Sequence, residues 1–374
     1  MSPIFVTRPL LPDVDALCRG IRDIYDRRIL TNNGPNHQEL EIRLKDVLGG
    51  REFILFNNGT IALMAALSAL NIEPGSEVIT TPFTFAATAH AITLLGLKPV
   101  FADIDPTYMT LSPDAVEKVV TPRTSCILAV HVYGYPCDTA GLQRVATAHD
   151  LALVYDAAHA FGTVVDGRLI GEFGDASAYS FHATKLFNTV EGGGVSFNGG
   201  DPAMRARDYR NFGIRSEDHV ASVGLNGKMS ELHALVGLLS LDTYQEEMAQ
   251  RARIGEVYRG VLAGSDLVKC PVFPKHATSS HQYFPIRVPG RESVNSALKA
   301  ENIMARRYFH PLVTDYDCYR QDFRSSDYPN SVAAGAEALC LPYHSGVTLD
   351  DAERIACIVV ENANNNGGAA RKDL

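Results

Sequence analysis

Ser180-Phe181-His182-Ala183-Thr184-Lys185-Leu186-Phe187-Asn188 is followed, after Thr189 and Val190, by Glu191-Gly192-Gly193-Gly194. The lysine has aromatic and small polar neighbours and stands just before a glycine run. A surface lysine usually has charged neighbours at helical spacing. Held in a dry, tight-turned setting, a lysine loses the solvation that favours its ammonium form. Its pKa falls, and the neutral amine can attack carbonyl carbon. A lysine that caps a helix or pairs with a carboxylate looks the same locally, so the choice depends on the rest of the chain.

Ala176–Phe181 reads as a strand that delivers this lysine, and Gly192–Phe197 as the strand that returns. Upstream, Phe53–Phe56, Glu77–Pro82, Pro99–Asp105, Ser125–Gly134 and Leu151–Asp156 are short, mostly apolar runs. Helical patterns fall between them, over Ile61–Leu70, Ala86–Ile92 and about Thr139–His149. Apolar strands alternating with helices predict a parallel sheet covered on both faces, with ligands gathered at the carboxyl ends of its strands. Before the first strand, amphipathic helices are expected over about Asp13–Arg28 and Gln38–Leu48, the second ending at Gly49-Gly50. Asn32-Asn33-Gly34-Pro35 forms a turn between them.

Two of these strand ends carry candidate chemistry. Asn57-Asn58-Gly59-Thr60 joins a strand to a helix, where unpaired backbone N–H groups and a positive dipole end can receive a phosphate. Gly59 permits close approach and Thr60 adds a hydroxyl, although an ordinary capped helix start has the same pattern. At the other end, Asp156-Ala157-Ala158-His159 leaves a carboxylate at the tip of an apolar strand, costly to bury unless it meets a positive charge. A protonated pyridine nitrogen is one such charge and a structural arginine another. His159 lacks the partners of a metal ligand, and no metal site is expected.

A long helix is expected from Ser230 to Leu241, and charge-rich helical sequence from Glu246 to Tyr258 marks a change of texture. The division is placed there: 1–245 as a large α/β domain and 246–374 as a small α+β domain, with Tyr283–Val288 as one of its strands. The segment from about Asn362, Asn-Ala-Asn-Asn-Asn-Gly-Gly, is expected to be a mobile tail.

The chain has 374 residues, 46% hydrophobic, ample for two cores. Its net charge of -9 argues against nucleic-acid and membrane-surface binding. Seven scattered cysteines suggest neither disulfides nor zinc but a reducing compartment. The N-terminus lacks signal-peptide character, and no apolar run reaches the roughly 18 residues of a membrane span. A cytoplasmic protein is expected.

A phosphate turn at Gly59-Thr60, an aromatic at Phe85, an acid at Asp156 and Lys185 occur in the chain order of a fold-type I enzyme of pyridoxal 5'-phosphate (PLP), the aspartate aminotransferase-like fold. Lys185 would form the Schiff base. Thr80-Thr81-Pro82-Phe83-Thr84-Phe85-Ala86-Ala87-Thr88-Ala89, Asp156–His159, Ser180–Lys185 and Asn226-Gly227-Lys228-Met229 also closely resemble the motifs of the DegT/DnrJ/EryC1/StrS sugar aminotransferases. The resemblance spans nearly the whole chain.

That resemblance implies roles residue by residue. Gly59, Thr60 and Ser180 would hold the phosphate of PLP, Phe85 would stack on its ring, and Asp156 would pair with the ring nitrogen. His159 would lie near the ring hydroxyl, and Lys185 would also shuttle the proton. Asn226 would reach the phosphate site of a partner subunit, which implies an obligate homodimer with composite sites. Lys228, Glu191, Tyr308 and His310 are candidates for contact with a sugar nucleotide. Relatives with histidine in place of the lysine perform dehydration, so the retained lysine favours transamination with L-glutamate as donor, the cofactor passing through its pyridoxamine form (PMP). The segments Leu30–Pro35, Phe187–Thr189 and Gly224–Met229 most resemble members that aminate dTDP-4-keto-6-deoxyglucose. Amination at C3 of a dTDP-3-keto-6-deoxyhexose is the alternative. A PLP-dependent dehydratase or a non-catalytic regulator on the same fold ranks behind both.

Overall fold

The structure is a computed structural model that describes residues 2–49 and 52–370. Seven strands form its main sheet: β1 (Glu52–Phe56), β2 (Glu77–Thr80), β3 (Lys98–Phe101), β4 (Thr124–Val130), β5 (Ala152–Asp156), β6 (Ala176–Ser180) and β7 (Gly193–Phe197), in the order β1-β7-β6-β5-β4-β2-β3. Pairing is parallel from β3 through β6. Strand β7 runs antiparallel to both β6 and β1. The exception has a simple cause. Only residues 181–192 separate β6 from β7, and they hold no helix of the kind that usually carries a parallel crossover.

Alternation along β1 shows how the sheet is covered. Ile54 and Phe56 enter one core with Ala62, Ala66 and Leu67, whereas Phe53 and Leu55 enter the other with Leu40, Leu44, Phe181 and Phe187. Four N-terminal helices are α1 (Val14–Arg27), α2 (Pro35–Leu48), α3 (Gly59–Ala69) and α4 (Ala86–Leu94). Leu48 closes α2 and Gly49 caps it in a left-handed conformation, while Gly50 of the expected turn lies outside the described residues. The start of α2 is capped by Glu231, a fully buried carboxylate that accepts from the N–H groups of Asn36 (3.0 Å) and His37 (2.9 Å).

A separate core gathers Ile254, Tyr258, Phe284, Ile286, Leu298, Leu341, Ile355 and Val359. Its two-stranded antiparallel sheet pairs Phe284–Arg287 with Ala338–Leu341. The strand Ile4–Phe5 pairs in parallel with Ile303–Met304. The first residues therefore join this second layer rather than the large domain to which the expected 1–245 division assigned them. We keep position 246 as a proposed domain limit, noting that the helix Tyr244–Leu262 crosses it.

The C-terminal segment also differs from its composition-based reading. The last helix runs Leu349–Ala370, well past Asn362. Ala363 continues the buried face of Ile355, Ala356 and Val359 at helical spacing. Asn364 Oδ1 accepts from Ser265 Oγ at 2.7 Å, and Asn362 Nδ2 donates to the Ile358 carbonyl at 2.8 Å. Residues 371–374 of the expected tail lie outside the described residues. Among the described residues no helix is long and apolar enough to cross a membrane.

Between the layers Arg251, fully buried, donates from Nε to Glu247 Oε1 at 2.7 Å and from Nη1 to the carbonyls of His281 and Gln282 at 3.3 Å. Removing one member of a buried ion pair leaves the other charge uncompensated. Glu247→Ala is expected to lower the unfolding free energy by about 3–5 kcal/mol, read from the midpoint of urea denaturation at unchanged slope.

Candidate active site

The carboxyl ends of β1, β5 and β6 lie along one edge of the sheet. Gly193, at the start of β7, pairs with both Phe56 and Ser180, which brings the turn after β1 beside the end of β6. A Cβ on Gly193 would come within 2.6 Å of the Asn58 carbonyl and 2.8 Å of the Gly59 nitrogen, so only glycine allows this approach. Asn58 caps α3 by accepting from the Ile61 N–H at 2.9 Å. The amides of Gly59 and Thr60 are left at the open end of the helix. A cavity of about 320 Å³ opens there, lined by Gly59, Thr60 and Ser180 and also by Asp156, Lys185 and Tyr283. That volume falls within the range of small-ligand sites, about 300–1,000 Å³.

The lysine loop folds back on itself. Phe181 donates to the Gly192 carbonyl (2.8 Å), Thr189 to the Phe181 carbonyl (2.9 Å) and Ala183 to the Val190 carbonyl (2.8 Å). The second layer then grips it. The Gln282 side chain accepts from the Leu186 N–H at 2.8 Å and donates to the Thr184 carbonyl at 3.2 Å, straddling Lys185. Lys185 Nζ lies 5.9 Å from the centre of the Tyr283 ring. Burial pulls its ammonium down to about 8, partly opposed by the negative charge of Asp156. A lysine in this state has a substantial neutral fraction near physiological pH, as a nucleophile requires.

Asp156 is buried, and burial raises its pKa. Three contacts pull it back: Thr88 Oγ1 donates to Oδ2 at 2.8 Å, the Ala158 N–H donates to Oδ1 at 3.1 Å, and the positive charge of Lys185 stands nearby. A cation presented from the cavity would complete this carboxylate. Phe85 leaves its ring uncovered at the cavity wall, 56% exposed for a large apolar side chain. His159 is buried with Nδ1 unpartnered and is held well below the usual histidine range by burial and by Lys185. A phosphate-accepting helix start, an uncovered aromatic face, a buried carboxylate at the cavity wall and a desolvated amine together fit PLP.

Of the residues singled out in the sequence, Gly59, Thr60, Phe85, Asp156, His159, Ser180, Lys185, Glu191 and Tyr308 all line this one cavity. Asn226, Lys228 and His310 do not line the cavity of their own chain. Asn226 is exposed, and its carbonyl accepts from Asn57 Nδ2 at 3.2 Å. Lys228 Nζ donates to Asn211 Oδ1 at 2.9 Å and lies 5.2 Å from the Phe212 ring. Four residues escaped sequence reasoning: Thr88, Gln282, Tyr283 and Arg306. Thr84 and Thr88 bond to each other at 2.8 Å one helical turn apart, a spacing that could have marked Thr88. The other three come from the second layer and carry no local signal.

The lysine on a hairpin loop, the buried acid and the helix-start turn, on a mostly parallel sheet, define a fold-type I, PLP-dependent transferase. The chain belongs to the DegT/DnrJ/EryC1/StrS aminotransferase family, which it matches over residues 15–360. It is 40% identical over 365 residues to a dTDP-4-amino-4,6-dideoxy-D-glucose transaminase of Shigella dysenteriae, covering 96% of this chain and 99% of that one. A transaminase of the same description from Escherichia coli is 36% identical over 95% and 97% of the two chains. Among solved structures, DesI in the presence of its TDP-sugar product superposes with a TM-score of 0.93 at 36% identity, covering 100% of this chain and 96% of that one.

Proposed function

We propose that this aminotransferase converts dTDP-4-keto-6-deoxyglucose to dTDP-4-amino-4,6-dideoxyglucose with L-glutamate as amino donor, as a homodimer with composite sites. The observation that carries it is Lys185, desolvated and sharing one cavity with Asp156, in a chain whose relatives are named for this product. All seven cysteines are free, which supports the cytoplasm as its compartment.

Bound here, PLP would supply an aldehyde that carries the amino group and a cationic ring that draws electrons from the reacting carbon. Gly59, Thr60 and Ser180 would hold its phosphate, joined by Asn226 of the other subunit. Phe85 would cover one face of the ring, and His159 would stand on its hydroxyl side. Asp156 would keep a proton on the ring nitrogen, since a buried carboxylate is stabilised by that cation. Lys185 Nζ would hold the group through its aldehyde carbon. Once free, the same amine would take a proton from the glutamate α-carbon in the first half-reaction and deliver one to C4 of the sugar in the second.

The test is product analysis by NMR after incubation with L-glutamate and dTDP-4-keto-6-deoxyglucose. Nitrogen attached at C4 supports the reading, and nitrogen at C3 or a deoxy product without amine overturns it. Lys228 is assigned to the sugar nucleotide's diphosphate in the partner's site, together with Glu191, Tyr308 and His310 on the sugar side. Lys228→Ala is expected to raise KM for the nucleotide sugar by about 10-fold, the effect of one charged hydrogen bond, and to leave KM for glutamate unchanged.

A further inference from the structure

Three arginines of the second layer differ in how their charge is met. Arg291 and Arg307 both contact Glu292, at 2.8 and 3.0 Å. Arg306 has no acidic partner among the described residues, and its exposed side chain lines the cavity wall. Its backbone is fixed, donating to the Cys340 carbonyl at 3.0 Å and accepting from the Cys340 N–H at 2.8 Å. The guanidinium lies over the Tyr308 ring, 4.8 Å from its centre, and Tyr308 packs on Tyr283 with ring centres 4.9 Å apart. Tyr283 in turn faces Lys185. The cavity therefore presents an oriented cation, two rings away from the reacting amine, with no counter-ion of its own.

We propose that Arg306 binds the side-chain carboxylate of the amino donor and so selects glutamate over uncharged amino acids. The assignment rests on the transamination proposed above. Lys185 is committed to the aldehyde carbon, which leaves Arg306 as the free strong cation among the residues lining the cavity. A donor whose α-carbon sits at Lys185 carries its α-carboxylate on that carbon, whereas the oxygens of the glutamate side-chain carboxylate lie roughly 4–5 Å from it by bond lengths. Arg306 lines the same cavity as Lys185 but stacks on Tyr308 rather than on Tyr283, the ring that faces the amine, which suits it to the carboxylate farther from the α-carbon. A planar guanidinium stacked on an aromatic ring is pre-oriented for bidentate contact with a carboxylate.

The experiment compares wild type, Arg306→Gln and Arg306→Lys in the isolated donor half-reaction, followed by the cofactor's absorbance, with glutamate and with glutamine. Binding of glutarate, a dicarboxylate with no amine to transfer, is measured in parallel by calorimetry. For Arg306→Gln the expected result is a fall of about 10- to 100-fold in the apparent second-order constant for glutamate. The constant for glutamine should stay within threefold, glutarate affinity should fall in parallel with the glutamate constant, and Arg306→Lys should recover part of both. An unchanged glutamate constant, an equal loss with glutamine, or an equal loss in the half-reaction with the nucleotide sugar overturns the assignment. A wild-type protein that transfers no amine from glutamate would instead remove the transamination reading itself.

Discussion

Lys185→Ala is expected to abolish turnover in both half-reactions, by at least about 10²–10⁴-fold, the range for a positioned proton-transfer group. It should also eliminate the covalent link that borohydride would otherwise trap at this residue. The two readouts test different things: the trapped adduct reports attachment, and the rates report whether the lysine amine moves protons. Wild type should show a matching pH signature. The free protein captures the aldehyde only through the neutral amine, and burial holds this lysine at about 8. The rate of PLP capture is expected to rise with pH up to about 8 and level off above it. A lysine at its ordinary value would still be gaining rate near pH 10. Capture rates from stopped-flow absorbance across about pH 6–11, a range bracketing both values, decide between them.

Asp156→Asn is expected to separate cofactor attachment from chemistry. The amide has nearly the shape of the carboxylate and keeps an oxygen for the Thr88 hydroxyl or the Ala158 N–H, so the strand end survives. It carries no negative charge to hold a proton on the ring nitrogen, and the electron-withdrawing power of the ring falls with that proton. Attachment at Lys185 should persist, with the borohydride adduct still formed, while turnover drops by about 10²–10⁴-fold. A variant that turned over within threefold of wild type would show that Asp156 is only a structural cap. Thr88→Val should give a smaller loss in the same direction, because Thr88 acts through the carboxylate.

The lysine segment was legible because its environment is local. Aromatic residues and a glycine run surround Lys185 in the chain, and the fold keeps them around it. The Asp156 tip was legible for a similar reason, since an acid closing an apolar strand has few inexpensive explanations. The antiparallel β7 was foreshadowed by the short return from Phe181 to Gly192. Composition misled at Asn362, where an asparagine-rich segment stays helical because Ala363 extends a buried face and two asparagine side chains find partners. Gln282, Tyr283 and Arg306 were invisible for a different reason. They are about a hundred residues distant from Lys185, and only the packing of two separately cored layers brings them to it.

The Gln282 amide has a bearing on how reactants come and go. It holds the peptide groups on either side of the nucleophile, and it belongs to the opposite wall of the cleft. Prising the walls apart to release a bulky nucleotide would break two hydrogen bonds at the lysine, each worth about 0.5–1.5 kcal/mol, and would loosen the amine on every cycle. Exchange through the mouth avoids that disruption, so traffic in and out is better served by side chains shifting at the rim than by hinging the halves.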